Sequence, residues 1–316
     1  MPAPCRVALV GAGYTGREHA RAFADVPGVA LAGVHSRTRA RAERLAEEFG
    51  IERVCNSVDE LYNSTRAELV VVAVPELEMN RVARACFAYP WTVLLEKPAG
   101  YDLADAGEIL DAAAPRAGDV RVAFNRRFYS STRKALEGLA GTAGRRFVQA
   151  QDQEDRPEAL RLGQPAPVVR NWMYANSIHV VDLLRTFGRG RVTAVSPLMR
   201  WNPEAPCVVL GKVDFDSGDT GLYEAIWEGP GPWAVSVQTE ALRWEMRPLE
   251  RLTLQERGNR LASDVPIGDW DLRFKPGFRL QAAHAVATAL GQPSACATLA
   301  DAFETMHLVA ALYATG

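Results

Sequence analysis

The sequence predicts an α/β protein in two parts: a parallel sheet covered by helices on both faces, then an α+β domain with an open, mainly antiparallel sheet. Three observations carry this. The first 124 residues alternate apolar strand-like runs with amphipathic helical ones, the pattern of crossover units. A glycine-rich loop separates the first strand from the first helix. After residue 125 the rhythm breaks, and strand-like runs follow one another with turn signals and no helices between them.

In the first part, strands are expected at "CRVALV" (5–10), "VALAGVH" (29–35), "ELVVVAV" (68–74), "WTVLLE" (91–96) and "DVRVAF" (119–124). Helices are expected at 14–26, 38–50, 76–88 and 103–114, with a short strand near 52–55 and a short helix near 58–62. Strands this apolar are buried on both faces, as in a parallel sheet. In the second part a helix at 129–140 precedes a strand at 145–152, a proline-containing loop at 156–169 and a helix at about 175–187. Strands then fill 192–265, where "DSGD" and "EGPGP" read as hairpin connections. Helices near 276–290 and 299–314 follow. The expected domains are 1–124 and 125–316, divided where the rhythm changes.

Composition excludes several classes. With 36 Lys+Arg against 38 Asp+Glu, nothing in the charge balance suggests nucleic acid. Cys5, Cys55, Cys86, Cys207 and Cys296 are odd in number and widely spaced, which predicts reduced thiols rather than a disulfide frame. His19, His35, His284 and His307 form no metal-site spacing, so no metal is expected. No apolar run approaches membrane-helix length and no leader is read at the N-terminus. The expectation is a cytoplasmic protein with no membrane association.

"VALVGAGYTGREHA" places Gly11, Gly13 and Gly16 after a strand and at the start of a helix. That context turns GxGxxG into the dinucleotide-binding loop of a Rossmann domain, with Tyr14 and Thr15 in the first helical turn. A dinucleotide site for NAD ordinarily has an acidic residue ending the second strand. Here Ser36 stands in that place and Arg37 follows, so NADP is expected in preference to NAD. Arg41 and Arg44 read as a solvated face pairing with Glu43, Glu47 and Glu48. Pro75, after the third long strand, joins the expected cofactor contacts.

"VLLEKPAG" ends a core strand in two opposite charges, Glu96 and Lys97, with Pro98 behind them. Ligands bind at the C-terminal ends of parallel strands, and an ammonium there can stabilise charge developing on a substrate oxygen. A lysine merely paired with Glu96 or water also fits this position.

With "GAGYTGREHA", "EKPAG", "NRRFY" (125–129), "NSIHVVDLL" (176–184) and "FKPGFRLQ" (274–281), the chain resembles the glucose–fructose oxidoreductase, inositol dehydrogenase and rhizopine-catabolism (Gfo/Idh/MocA) oxidoreductases along nearly its whole length. The resemblance implies that Glu96 and Lys97 lie by the cofactor, that Lys97 polarises the reacting oxygen and that His179 carries the proton. It also implies that the bond before Pro98 is often cis. Many members carry an aspartate one turn before the histidine; here it is Ala175. Asn176 could orient the imidazole, and Asp182 at i,i+3 could compensate. Asn125, Arg127, Tyr129, Asn171, Trp172, Tyr174 and Asn176 are the substrate-side candidates. Trp201, Trp227, Trp233 and Trp244 read as core or subunit interface. The expected function is NADP(H)-dependent hydride transfer to or from a sugar, nucleotide-sugar, cyclitol or related small carbonyl or hydroxyl compound, in a homodimer or tetramer. Redox-neutral glycoside cleavage with bound NAD and a non-catalytic dinucleotide sensor are the alternatives.

Overall fold

The structure, a computed structural model, describes residues 3–315; Met1, Pro2 and Gly316, the outer ends of the two expected domains, lie outside the described residues. In chain order the first elements are β1 (Cys5–Val10), α1 (Tyr14–Ala24), β2 (Val29–His35), α2 (Arg39–Phe49), β3 (Val54–Cys55), α3 (Val58–Thr65), β4 (Leu69–Val72), α4 (Glu76–Cys86), β5 (Thr92–Glu96), α5 (Leu103–Ala113) and β6 (Val120–Ala123). A 3-10 turn (Asn125–Phe128) leads to α6 (Ser130–Leu139), β7 (Phe147–Glu154), α7 (Arg156–Arg161) and α8 (Ala166–Arg170). A π-helical turn (Met173–Ser177) opens α9 (Ile178–Phe187). Then come β8 (Val192–Met199), β9 (Val208–Phe215), β10 (Thr220–Trp227), β11 (Ala234–Gln238), β12 (Leu242–Met246), β13 (Thr253–Glu256) and β14 (Ser263–Asp264). The chain ends with α10 (Trp270–Arg273), α11 (Phe278–Ala289), β15 (Ala297–Thr298) and α12 (Leu299–Tyr313).

The chain divides into two compact units, each built from two segments. The first joins the residues up to Asn125 with Leu272–Phe303, and the second joins Arg126–Asp271 with the residues from Glu304 onward. A contiguous division at 124/125 had been expected. The segment bearing α11 and β15 instead completes the first unit, because β15 pairs with β6 and α11 packs on α1.

In the first unit the sheet runs β15-β6-β5-β4-β1-β2-β3, parallel except for β15. Every residue of β4 and β5 is buried, as their apolar runs require. β1 pairs with β2 on one side and β4 on the other. The strand order therefore reverses at β1, the crevice where such sheets bind ligands. Local chemistry sets the helix starts. Ser57 accepts from the amide of Glu60, and Asp102 from that of Asp105, each filling one otherwise unpaired donor. Gly50, in the left-handed region, ends α2.

The second sheet runs β14-β13-β12-β11-β7-β10-β9-β8. "DSGD" does close the β9–β10 hairpin. "EGPGP" does not make a hairpin: β10 and β11 lie on opposite sides of β7, parallel and antiparallel to it. The loop crosses the end of β7, where Glu228 N donates to Glu154 O at 2.7 Å and Trp233 Nε1 donates to Gln153 O at 2.8 Å. The 156–169 loop contains two short helices, the first capped by Asp155. Trp227 and Trp244 are core residues, while Trp201 and Trp233 are half-buried. No helix among the described residues is long and apolar enough to cross a membrane. Four cysteines are buried and Cys207 is exposed; burial pushes Cys5 to about 11 and Cys86 to about 12.

Asp219 ties together three connections of the second unit. It accepts from the Arg146 amide at 2.8 Å, the Arg189 amide at 3.0 Å and the Arg189 guanidinium at 2.8 and 2.6 Å. Burial alone would raise its pKa, but the Arg189 guanidinium and these two amides outweigh it and hold the carboxyl at about 2. A depressed carboxyl contributes stability that is full above its unfolded value of about 3.9. That contribution is lost as pH falls through about 2. Asp219→Asn is expected to lower stability at neutral pH by about 1–3 kcal/mol. It should also flatten the acid limb of the stability profile between these two values, measured by urea unfolding across pH.

Candidate functional site

The glycine loop lies at the C-terminal edge of the first sheet. Gly11 has φ +109°, and a Cβ there would fall 2.0 Å from the Ala73 carbonyl oxygen. A Cβ on Gly16 would fall 2.3 Å from Gly11 O, so this glycine lets α1 close onto the loop. Gly13 differs: a Cβ there meets nothing within 4 Å. The chain has no steric need of it, and the space it spares opens beside the helix N-terminus. No side chain caps α1 and its first turn carries no acid. Its amides and partial positive charge are thus left for an anionic ligand such as pyrophosphate. Tyr14 is exposed and Thr15 half-buried in that first turn. These features fit a dinucleotide.

Beside the loop is a cavity of about 160 Å³ whose lining includes Gly11, Ser36, Arg37, Arg41, Pro75 and Arg81. Ser36 follows the last residue of β2, with no carboxylate at that strand end. The Arg37 side chain is 80% exposed and donates to Glu78 at 3.3 Å; Arg81 holds the same carboxylate at 2.7 Å. Arg41, exposed as expected of a solvated face, also lines this cavity. The helix-face pairing falls to Arg39 with Glu43, and Glu48 goes to Arg17. The first turn of α2 carries no acidic residue and no capping side chain. Pro75 sits at the start of α4.

Lys97 follows β5, half-buried at the same edge, and the Lys97–Pro98 bond is cis. Glu96 is buried beneath it with both oxygens engaged. Oε1 lies 2.7 Å from Nε2 of His19, and Oε2 accepts from the Lys97 amide at 3.2 Å. His19 is on α1 and packs on Phe278 with ring centroids 4.7 Å apart. One carboxylate thus joins the glycine-loop helix to the backbone of Lys97. His19 was invisible as a functional residue in the sequence, because its partner is 77 residues away. Asn125 is buried in this unit, its amide donating to Pro276 O at 3.1 Å.

In the second unit His179 is the second residue of α9 and is buried. Ala175 and Asn176 fall within the π-helical turn before it, an irregularity frequent at functional sites. Asp182 is committed elsewhere: Arg127 donates to both its oxygens at 2.6 Å, and Thr305 Oγ1 donates to it at 3.1 Å. Arg127 is therefore held in an internal ion pair. Tyr129 is buried at the start of α6. Asn171 follows α8 and is half-buried, as is Trp172; Tyr174 is buried, its hydroxyl 3.4 Å from Thr315 Oγ1. The Asn176 amide donates to Glu154 at 2.9 Å. Glu154, Asp152 and Arg126, which form a buried cluster with it, were not singled out in the sequence. Among the described residues no group of three His, Cys, Asp or Glu could hold a metal ion.

Comparison with known proteins agrees with this architecture. Residues 5–124 match a family model described as "Oxidoreductase family, NAD-binding Rossmann fold". A scyllo-inositol 2-dehydrogenase (NAD(+)) from Bacillus subtilis is 23% identical over 300 residues, covering 88% of this chain and 84% of the relative. Among solved structures, a dehydrogenase from Chromobacterium violaceum superposes with a TM-score of 0.83 at 19% identity, over 98% of this chain and 94% of that one. A levoglucosan dehydrogenase in complex with NADH and levoglucosan superposes with a TM-score of 0.79 at 17% identity, over 99% and 98%. At these identities the structures speak for the fold, while the family model speaks for the glycine-loop unit. The family match is confined to residues 5–124, which carry the NAD-binding Rossmann fold of that oxidoreductase family.

Proposed function

We propose that the protein is an NADP(H)-dependent dehydrogenase or reductase acting on a sugar, nucleotide-sugar, cyclitol or related small carbonyl or hydroxyl compound. The observation that carries this reading is Lys97 at the end of β5, its backbone joined through Glu96 to the helix that opens on the glycine loop. The relatives named for scyllo-inositol and levoglucosan support the substrate class. A bound nicotinamide would supply or accept the hydride, and Gly11, Gly13, Gly16 and the start of α1 would receive the pyrophosphate. The Lys97 ammonium donates to the reacting oxygen and stabilises its developing charge. His179 lends or recovers the proton. The first unit is read as the cofactor-binding domain and the second as the substrate and oligomerisation domain. Self-association as a dimer or tetramer is supported by the half-buried Leu210, Leu222 and Ile226 on one face of β9 and β10. Light scattering at low micromolar concentration should give a multiple of 34.5 kDa.

The preference for NADP is supported by Ser36 in place of a strand-end carboxylate and by Arg37, Arg41 and Arg81 around the cavity. A 2′-phosphate there would meet cations where NAD sites hold an acid. The wild type is expected to bind NADPH more tightly than NADH, and Ser36→Asp to reverse or erase the ratio. Equal wild-type constants that aspartate leaves unchanged would remove the argument.

A screen of polyols, sugars and their oxidised forms, followed by absorbance of the reduced nicotinamide, tests the reaction class. Lys97→Met should keep cofactor affinity while turnover falls by about 2.7–4 kcal/mol of lost oxyanion stabilisation, on the order of 10²–10³-fold. A lysine serving only as a surface ion pair would cost about 0–1 kcal/mol of stability and little activity. A wild type that changes the nicotinamide absorbance with none of the compounds, together with a Lys97→Met variant indistinguishable from it in binding, would leave a dinucleotide sensor.

A further inference from the structure

Two carboxyl groups of the second unit are buried where interiors seldom admit charge. Asp152 and Glu154 hold alternate positions on the buried face of β7, 0% and 1% exposed. Glu154 accepts from the Asn176 amide at 2.9 Å on Oε2 and from the Ser177 hydroxyl at 3.3 Å on Oε1. Asp152 Oδ2 accepts from the Tyr223 hydroxyl at 2.7 Å. The Tyr223 and Tyr313 hydroxyls are 2.8 Å apart, and Tyr313 also takes the Trp227 indole N–H and neighbours Ser177 Oγ, each at 3.2 Å.

Oδ1 of Asp152 is buried with no hydrogen-bond partner in this network, and so are Nε and Nη1 of Arg126. The Ser177 hydroxyl and the Glu154 carboxyl are both hydrogen-bonding neighbours of Asp152, and the carboxyl donates only when it carries a proton. Arg126 is the cation whose field reaches both carboxyls, its guanidinium carbon 3.9 Å over the Trp233 ring. One guanidinium and one retained proton leave the cluster neutral, whereas two carboxylates beside one guanidinium would bury a net charge. Burial raises both carboxyls, and the neighbouring Asp152 raises Glu154 further.

We propose that Glu154 is a positioning residue: as a neutral acid it donates to Asp152, while its two oxygens hold Asn176 and Ser177 and so fix the π-helical turn from which His179 follows. The functional half of this rests on the reading of His179 as proton carrier. With alanine at 175 the turn has no carboxylate of its own, and the strand beneath it supplies one in uncharged form.

The test compares two substitutions in the full chain. Glu154→Gln imitates the neutral acid, with an N–H for Asp152 and a carbonyl that still accepts; Glu154→Leu removes every bond. In mildly alkaline buffer the wild type is expected to show the infrared band of a non-ionised carboxyl, and Glu154→Gln to lack it. Glu154→Gln should leave the nuclear magnetic resonance titration of His179 and the turnover of the best screened substrate near wild type. Glu154→Leu should displace that titration and slow kcat by roughly 10²-fold, the scale of a misplaced catalytic group, with dinucleotide affinity unchanged. A wild type without the carboxyl band overturns the protonation. A glutamine variant as impaired as the leucine one overturns the positioning. Unimpaired turnover in His179→Asn defeats the proton-carrier reading alone, since the infrared band is read without substrate.

Discussion

The first unit is organised around one carboxylate. Glu96 ends β5, the strand beside β4 in the parallel sheet, and divides its two oxygens between His19 and the Lys97 amide. α1 begins at the glycine loop and carries His19 in its second turn, so the groups that would receive a pyrophosphate and the lysine backbone share a single buried link. Each partner is needed for the others to be tolerable. The glutamate is buried only because it is hydrogen-bonded, and the histidine is held between it and the Phe278 ring. Precision at Lys97 is thus a property of the sheet and helix rather than of the loop, as a site on rigid elements requires.

The second unit meets the same difficulty, charge inside a core, with different means. Asp182 is satisfied by a bidentate arginine and Asp219 by an arginine and two amides. Asp152 and Glu154 share one cation, and their hydrogen-bond donors are the neutral groups of Tyr223, Asn176 and Ser177. The first two are conventional ion pairs that hold elements together. The third solves the problem by neutralisation, the course open to buried carboxyls that lack a partner each.

The sequence made the parallel sheet legible, because runs such as "LVVV" and "VLL" are apolar at every position and only burial on both faces asks for that. The ends of those strands were legible too, since a glycine loop and a Glu-Lys pair interrupt the pattern. What stayed hidden depends on contacts distant in the chain. "EGPGP" has hairpin chemistry but spans β7, and nothing local distinguishes the two connections. "QAQDQE" alternates between two polar sets, so its buried face could not be told from its open one. Arg126 and Arg127 are adjacent and chemically identical. One pairs with an aspartate 55 residues away and the other lies over Trp233, a choice that three-dimensional packing makes.

The segment Leu272–Phe303 has a bearing on how the protein is made. β15 covers the outer edge of β6, and α11 packs on α1, yet both leave the ribosome only after the whole second sheet has been synthesised. A nascent chain therefore carries its dinucleotide fold with one strand edge bare and one helix unsupported until that segment has been made. Bare edges recruit other strands, and incomplete domains expose apolar surface. Termination anywhere between the second sheet and Phe303 would thus damage the unit whose first segment is made earlier, and a chaperone encountering such a chain would find its client surface on that unit.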